Sequence, residues 1–306
     1  MSKRIVFMGT PDYATKIFER LLNSSYEVVA LYTQPDKPVG RKQVLTAPHI
    51  KQFCLDNSLD IPVFQPLKLR ENKEVEDEIK ALNPDFIIVA AYGQILPKEI
   101  LDIAPCINLH ASLLPKYRGA SPIQESLLND DEYTGVTSML MEEGLDSGDI
   151  LGLEYLKITS TMDVVEAFNK LSDIAANLTI TTLDNYEKIN PKKQNEAEVS
   201  FCKKIKKEHG LVDLSNAKKL YLKYKAYSFW PGIFLESGLK LKDVKLVEEN
   251  SSNEEGTILE LNKDSVVIAC KKGSIEVKTL QAPSKKAINA VDFLKGKRVS
   301  VGDILQ

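Results

Sequence analysis

INLHASLLPKYRGASPI occupies residues 107–123, and its opening decides the fold. With Cys106 in front, the run CINLH is apolar but carries two polar side chains, Asn108 and His110. On a strand, a spacing of two puts both on one face. A turn with two prolines and a Gly-bearing basic cluster follows. A continuous apolar run of this kind reads as a strand buried on both faces, and in open parallel sheets ligands gather at the carboxyl ends of such strands.

The surrounding chain repeats the pattern. RIVFM (4–8), EVVALYT (27–33) and DFIIVAAYG (85–93) are further short apolar runs. Between them lie helical patterns: one from Thr10-Pro11-Asp12 to about Leu22, one near 48–57 and one near 71–82. Thr10 is expected as the N-cap of the first helix, with Pro11 at its first position. GVTSMLM (135–141) and ILGLEYLKI (150–158) read as more strands, and a long helix over 163–187 closes the unit. Strands alternating with helices predict an α/β unit, a Rossmann-like doubly wound parallel sheet. The GTPD turn after the first strand holds one glycine. It matches neither the dinucleotide fingerprint nor a P-loop and reads as a tight strand-to-helix turn.

The chain has 306 residues, which suggests two domains. At 43% apolar and 27% charged residues it has the composition of a soluble globular protein with a sizeable core. No apolar run is long enough to span a membrane, and the apolar stretch after the basic start is too short for a signal peptide. Cys54, Cys106, Cys202 and Cys270 are far apart, which argues against zinc and a disulfide framework and fits a reducing cytoplasm. The net charge of −3 hides a split. Residues 1–189 hold 18 Lys and Arg against 28 Asp and Glu, net −10; residues 190–306 hold 22 against 15, net +7. A basic half suggests a polyanionic partner, although Lys-rich faces also serve simply to stay solvated.

Residues 190–206 read as a polar, Lys-rich linker. Beyond it, 214–228 reads as a helix. Short alternating runs follow: IFLES, LKLKDVKLV, GTILELN, SVVIACKKG and SIEVKTLQ. Their turn spacing predicts a small antiparallel OB-like β-barrel over 207–306. Basic barrels of this kind commonly bind nucleic acid. The division expected is a catalytic domain over 1–189, the linker, and this barrel.

The chemistry centres on Asn108 and His110. An amide and an imidazole on one strand face can both donate to a developing oxyanion. A third group is offered by EEGLDSGDIL (142–151), where Asp146 sits in a turn framed by Gly144 and Gly148. Asp and Gly are also ordinary turn residues. Together, Asn, His and Asp point to acyl transfer without a covalent enzyme intermediate, since no nucleophile elbow is present. His49, His110 and His209 are scattered and form no metal-binding motif.

NLHASLLPKYRGASPIQ followed by GLDSGDIL resembles the folate-dependent formyltransferase family over roughly residues 3–189. FMGTPDYA, YTQPDKPVGR, AAYGQILP and the basic second half extend the resemblance over nearly the whole chain. They point to the branch that formylates the methionine carried by initiator tRNA. The resemblance implies 10-formyltetrahydrofolate as formyl donor, initiator methionyl-tRNA as acceptor and Asn108, His110 and Asp146 as the catalytic trio. It implies folate contacts by Ser112, Leu113, Leu114 and Pro115, and by Tyr92, Gly93, Ile95 and Leu96, with loops 91–97 and 139–146 around the pterin. It implies that the long loop 33–48, with Lys37, Arg41 and Lys42, enters the acceptor end of the tRNA. A frequent family pattern there is G-R-G-K-K; this chain reads Gly40-Arg41-Lys42-Gln43-Val44. Lys203, Lys204, Lys206 and Lys207 are expected to meet phosphates, with an effect that is salt-dependent and blind to sequence. SFWPGIF (228–234) resembles the family's N-P-W-P segment without its first proline, and Trp230 is expected in the core at a helix-to-strand junction. No metal is expected, and the chain is expected to be a cytoplasmic monomer. A sugar-nucleotide acceptor and a non-catalytic binding protein on the same fold are the alternatives.

Overall fold

In the computed structural model, which describes residues 2–40 and 42–305, the chain divides into two compact units. The first comprises the residues up to Pro122, Tyr133–Lys157 and Phe168–Cys202; the second comprises Ile123–Glu132, Ile158–Ala167 and the chain from Lys203 onward.

The first unit starts β1 (Arg4–Gly9), α1 (Asp12–Leu22), β2 (Glu27–Tyr32), then a short ribbon of β3 (Lys37–Val39) and β4 (Val44–Thr46). It continues α2 (His49–Asp56), β5 (Val63–Phe64), α3 (Lys73–Ala81), β6 (Phe86–Ala90), α4 (Lys98–Leu101) and β7 (Cys106–His110). After β8 (Arg118–Gly119) the short helix α5 (Pro122–Leu128) belongs, from Ile123 on, to the second unit; the first unit resumes with β9 (Tyr133–Leu140), β10 (Ile150–Lys157), α6 (Val164–Asn185, from Phe168 on) and β11 (Phe201–Cys202). Seven strands form one sheet in the order β10-β9-β7-β6-β1-β2-β5. The five strands β5, β2, β1, β6 and β7 run parallel, as the apolar runs predict. β9 pairs antiparallel with β7 and β10 antiparallel with β9, so β9 alone runs against the other strands of the sheet. The link 141–149 between β9 and β10 is too short for a parallel crossover, which needs a dozen or more residues.

β1, β6 and β7 are buried almost throughout. Val6, Met8, Ile87 and Val89 pack with Tyr92, Leu96 and Ile100 in one apolar cluster. The first helix starts where the pattern places it but is capped differently. Pro11 is its N-cap, and its carbonyl accepts the Ala14 N–H at 2.9 Å. The Thr10 hydroxyl donates to the Tyr92 carbonyl at 3.1 Å. It thereby ties the turn after β1 to the loop after β6, so a long-range bond displaces the local cap.

The second unit holds α7 (Ala217–Tyr227), β12 (Ile233–Phe234), β13 (Lys240–Glu248), β14 (Ile258–Leu261), β15 (Val266–Ala269), β16 (Ser274–Gln281), β17 (Ile288–Asn289) and α8 (Ala290–Lys297). Its strands form an antiparallel sheet in the order β12-β13-β16-β15-β14, with β17 also on β16. Leu241, Val244, Val266, Ile268, Ile275 and Val277 supply its core. Trp230 is not part of that core: it is 50% exposed, and Phe229 beside it is 83% exposed. Tyr227, Pro231 and Ile233 are buried and anchor the junction after α7 in its place.

Candidate active site

Asn108 and His110 lie buried near the carboxyl end of β7, facing Met139 and Thr137 across the antiparallel pairing with β9. The chain after β7 is folded by side chains. The Thr137 hydroxyl donates to the Ser112 carbonyl at 2.6 Å and accepts the Leu114 N–H at 3.0 Å. The Ser112 hydroxyl donates to the Lys116 carbonyl at 2.6 Å. Tyr117 then takes a left-handed φ of 63°. Its carbonyl lies 2.9 Å from His110 Nε2. A carbonyl can only accept, so the ring nitrogen facing it carries the hydrogen. That contact fixes the plane of the imidazole.

Asp146 arrives from the link between β9 and β10 with a left-handed φ of 50°. Its Oδ2 accepts the Gly119 N–H at 2.8 Å and lies 3.8 Å from His110 Nδ1. Its Oδ1 accepts a hydrogen from Asn108 Nδ2 at 3.4 Å. The trio expected from the sequence therefore converges, although 38 residues separate Asn108 from Asp146. The other histidines are engaged locally: His49 with Thr15 and Asp12, His209 with the Lys206 amide.

Gly119 makes the approach possible. Its φ is 120°, and a Cβ there would sit 2.3 Å from the Cys202 carbonyl oxygen. Gly119→Ala is expected to lower Tm by about 4–12 °C, from a cost on the order of 2–3 kcal/mol at roughly 2–4 °C per kcal/mol. Thermal unfolding followed by circular dichroism checks this, and an unchanged Tm would contradict the close packing of β8 on β11.

Residues 190–202 are the feature sequence reasoning missed. Lys192 pairs with Ile150, and β11 pairs with β8. Gln194 is buried, and its amide donates to the carbonyls of Asp146 and Gly148, both at 2.8 Å. Its Oε1 accepts from Nε and Nη2 of the buried Arg118 at 3.0 and 2.8 Å. The Ser200 hydroxyl accepts the Tyr117 N–H at 2.9 Å. The only hint in the sequence was a glutamine and a serine in a polar, Lys-bearing stretch, and polar residues there read as solvated.

Of the residues expected around folate, Ser112, Leu113, Leu114 and Pro115 follow His110 directly. Tyr92 and Leu96 are buried in the apolar cluster, and the Tyr92 hydroxyl is buried without a hydrogen-bond partner. Ile95 is 77% exposed, and Gly93 takes a φ of 84°. The loop 33–48 is a two-stranded ribbon, because Gly40 and Gln43 take left-handed φ values and let β3 turn back onto β4. Its base is clamped: Lys51 reaches both Asp36 carboxylate oxygens at 2.9 Å and Gln65 at 2.7 Å. Hydrogen bonds from Gln65 and then Lys51 hold the Asp36 carboxyl below the usual carboxylate range. Lys37 and Lys42 are exposed on the ribbon, and Arg41 lies outside the described residues. Lys203, Lys204, Lys206 and Lys207 are exposed, with Lys206 3.6 Å from Glu208.

Among the described residues, no three His, Cys, Asp or Glu side chains are grouped to hold a metal ion, and no helix is long and apolar enough to cross a membrane. Burial pushes the Cys106 and Cys270 thiols up to about 12, far from a reactive thiolate.

Comparison with known proteins places the chain. The Formyl transferase family matches residues 3–183, and the family Formyl transferase, C-terminal domain, matches residues 204–298. A methionyl-tRNA formyltransferase of a Nitratiruptor species is 57% identical over 300 residues, covering 98% of this chain and 99% of its own. One from Campylobacter lari is 54% identical over 303 residues, covering 99% of each. Among solved structures, an N-formyltransferase from Helicobacter canadensis in complex with folinic acid and dTDP-3-aminofucose superposes with a TM-score of 0.68 at 16% identity, covering 92% of this chain and 100% of its own. HypX from Aquifex aeolicus in complex with tetrahydrofolic acid gives 0.66 at 16%, covering all of this chain and 49% of its own. At such identities the two structures establish the fold.

Proposed function

The chain belongs to the formyl transferase family, and from that premise we propose that it moves a formyl group from 10-formyltetrahydrofolate to the α-amino group of initiator methionyl-tRNA. The observation that carries this reading is the extent of likeness. More than half the residues are identical to a methionyl-tRNA formyltransferase across 98% of the chain, the basic stretch 190–306 included. The likeness to sugar-acting enzymes is one of fold, at 16% identity.

The donor set fits a formyl group. Two buried side chains able to donate hydrogen bonds and one carboxylate converge at the mouth of β7. 10-Formyltetrahydrofolate supplies the formyl carbon as a substrate and leaves as tetrahydrofolate. The α-amine of methionine attacks that carbon, a C–N bond forms, and the bond to the folate nitrogen breaks. Asn108 Nδ2 and the His110 ring donate to the oxygen on which negative charge develops. One such donor is typically worth about 3–4 kcal/mol. Asp146 stabilises positive charge on the ring by Coulomb attraction and passes the amine's proton, directly or through water, to the departing nitrogen. Ser112, Leu113, Leu114 and Pro115, with the backbone of residues 91–97, frame the pterin in this reading. The loop 33–48, with Lys37, Arg41 and Lys42 in its sequence, and the lysines 203, 204, 206 and 207 meet tRNA phosphates in this reading. The reaction needs no metal and one copy of the chain, in the cytoplasm where charged initiator tRNA is found.

The test is formyl transfer from 10-formyltetrahydrofolate to methionine-charged initiator or elongator tRNA, followed as N-formylmethionine. Rapid product on the initiator alone is expected. KM for tRNA should rise steeply with salt, with a log–log slope of about 0.7–0.9 per phosphate contact. Formylation of a sugar-nucleotide amine with none on tRNA would replace this reading by the sugar-nucleotide one.

A further inference from the structure

The trio leaves one question open: what holds Asp146 in its left-handed conformation. A non-glycine residue there is strained and persists only when its surroundings over-determine it. Gly119 holds the carboxylate but does nothing for the peptide behind it. That peptide is held by Gln194, whose single amide group donates to the carbonyls of Asp146 and Gly148 at 2.8 Å each. Both hydrogens of the amide are used. Its oxygen is used as well, by two nitrogens of Arg118. Arg118 is itself buried, and its Nη2 also reaches Glu196 at 2.8 Å. The orientation of the Gln194 amide is thus dictated: the guanidinium has no acceptor, so it must face the amide oxygen. Gly148 is close to the Leu140 carbonyl, where a Cβ would lie 1.8 Å from the oxygen, so the turn cannot relax in that direction.

We propose that Gln194, braced by Arg118, is a positioning residue: it fixes the Asp146 peptide so that the carboxylate stays aimed at Asn108 and His110. The inference rests on the role of Asp146 given above. Arg118 and Gly119 then act on Asp146 from two sides, one through Gln194 on the backbone and the other directly on the carboxylate. Neither Gln194 nor Arg118 touches a reacting atom. They act by keeping a catalytic group in register, where a displacement of about 1 Å can cost on the order of 10²-fold in rate.

Gln194→Glu in the full chain is the discriminating variant. It keeps the volume and the acceptor for Arg118 but cannot donate to the two carbonyls. Gln194→Met removes both functions. Both variants are expected to lower kcat for formyl transfer about 10- to 100-fold, with KM for tRNA and for the formyl donor within about threefold of wild type. In an Asp146→Asn background, adding Gln194→Met should change the rate by less than about threefold, since coupled residues are not additive. Hydrogen exchange in peptides spanning 141–149 should accelerate in both variants and needs no substrate. Wild-type kcat in Gln194→Glu, a full further loss in the Asp146→Asn background, or unchanged exchange at 141–149 would each overturn the proposal. A wild-type protein that forms no N-formylmethionyl-tRNA would instead sink the functional reading, and the exchange experiment would still decide whether Gln194 holds the turn.

Discussion

His110→Ala is expected to lower the single-turnover rate of formyl transfer at least about 10³-fold while tRNA affinity stays within about threefold. The magnitude follows from what the ring does. Removing one oxyanion donor costs about 10²–10³ in rate, and the ring also couples charge on that oxygen to the Asp146 carboxylate 3.8 Å away. The truncation leaves the Tyr117 carbonyl without the ring nitrogen 2.9 Å away. The Cys202 thiol donates to the same oxygen at 3.3 Å, so that carbonyl is not orphaned. The fold is therefore expected to survive, with a thermal midpoint near wild type as the check. Retention of most of the rate would refute the role given to His110. Loss of tRNA binding in a folded variant would mean that the ring serves the acceptor and not the chemistry.

Asp146→Asn is expected to cost about 10²–10⁴ in kcat, the range of a lost general acid–base group. The change is nearly isosteric. An amide oxygen can still accept the Gly119 N–H, and Gln194 still holds the left-handed peptide. What disappears is the negative charge beside the imidazole and, in the proposed mechanism, the oxygen that takes the proton. The loss should fall on kcat, leaving KM for either substrate nearly unchanged. A variant with unaltered kcat but a raised KM would recast Asp146 as a binding group. Both substitutions can be read in one single-turnover series, and their double variant should be little worse than either alone if the two side chains act as a unit.

How much of this was legible in the residues varies with the range of the forces involved. β7 was legible because its spacing and its apolar run are local facts. Asp146 was legible through the glycine-framed turn and the resemblance, although its partners lie 27 and 38 residues away. The reversal of β9 was not, because burial patterns carry no polarity; the short link 141–149 was the available clue. Thr10 followed local capping rules on paper, but a bond reaching 82 residues to Tyr92 outcompeted the cap. Trp230 was expected inside because a helix-to-strand junction needs an anchor, yet Pro231 and Tyr227 fill the junction. Gln194 was invisible for the opposite reason. A polar residue in a Lys-rich stretch looks solvated, and only its bonds to Asp146, Gly148 and Arg118 bury it.

The strand of chain from 192 to 202 also sets where the protein can be cut and respliced. The family match to the first half ends at residue 183, at the tail of α6, and that is where a gene fusion would naturally be joined. A chimera built there would discard Gln194, Ser200 and β11, leave the Arg118 guanidinium buried without its amide acceptor, and free the turn that carries Asp146. The same graft made after Cys202 keeps every one of those bonds. The first unit of this chain is therefore the sheet together with its tail up to Cys202.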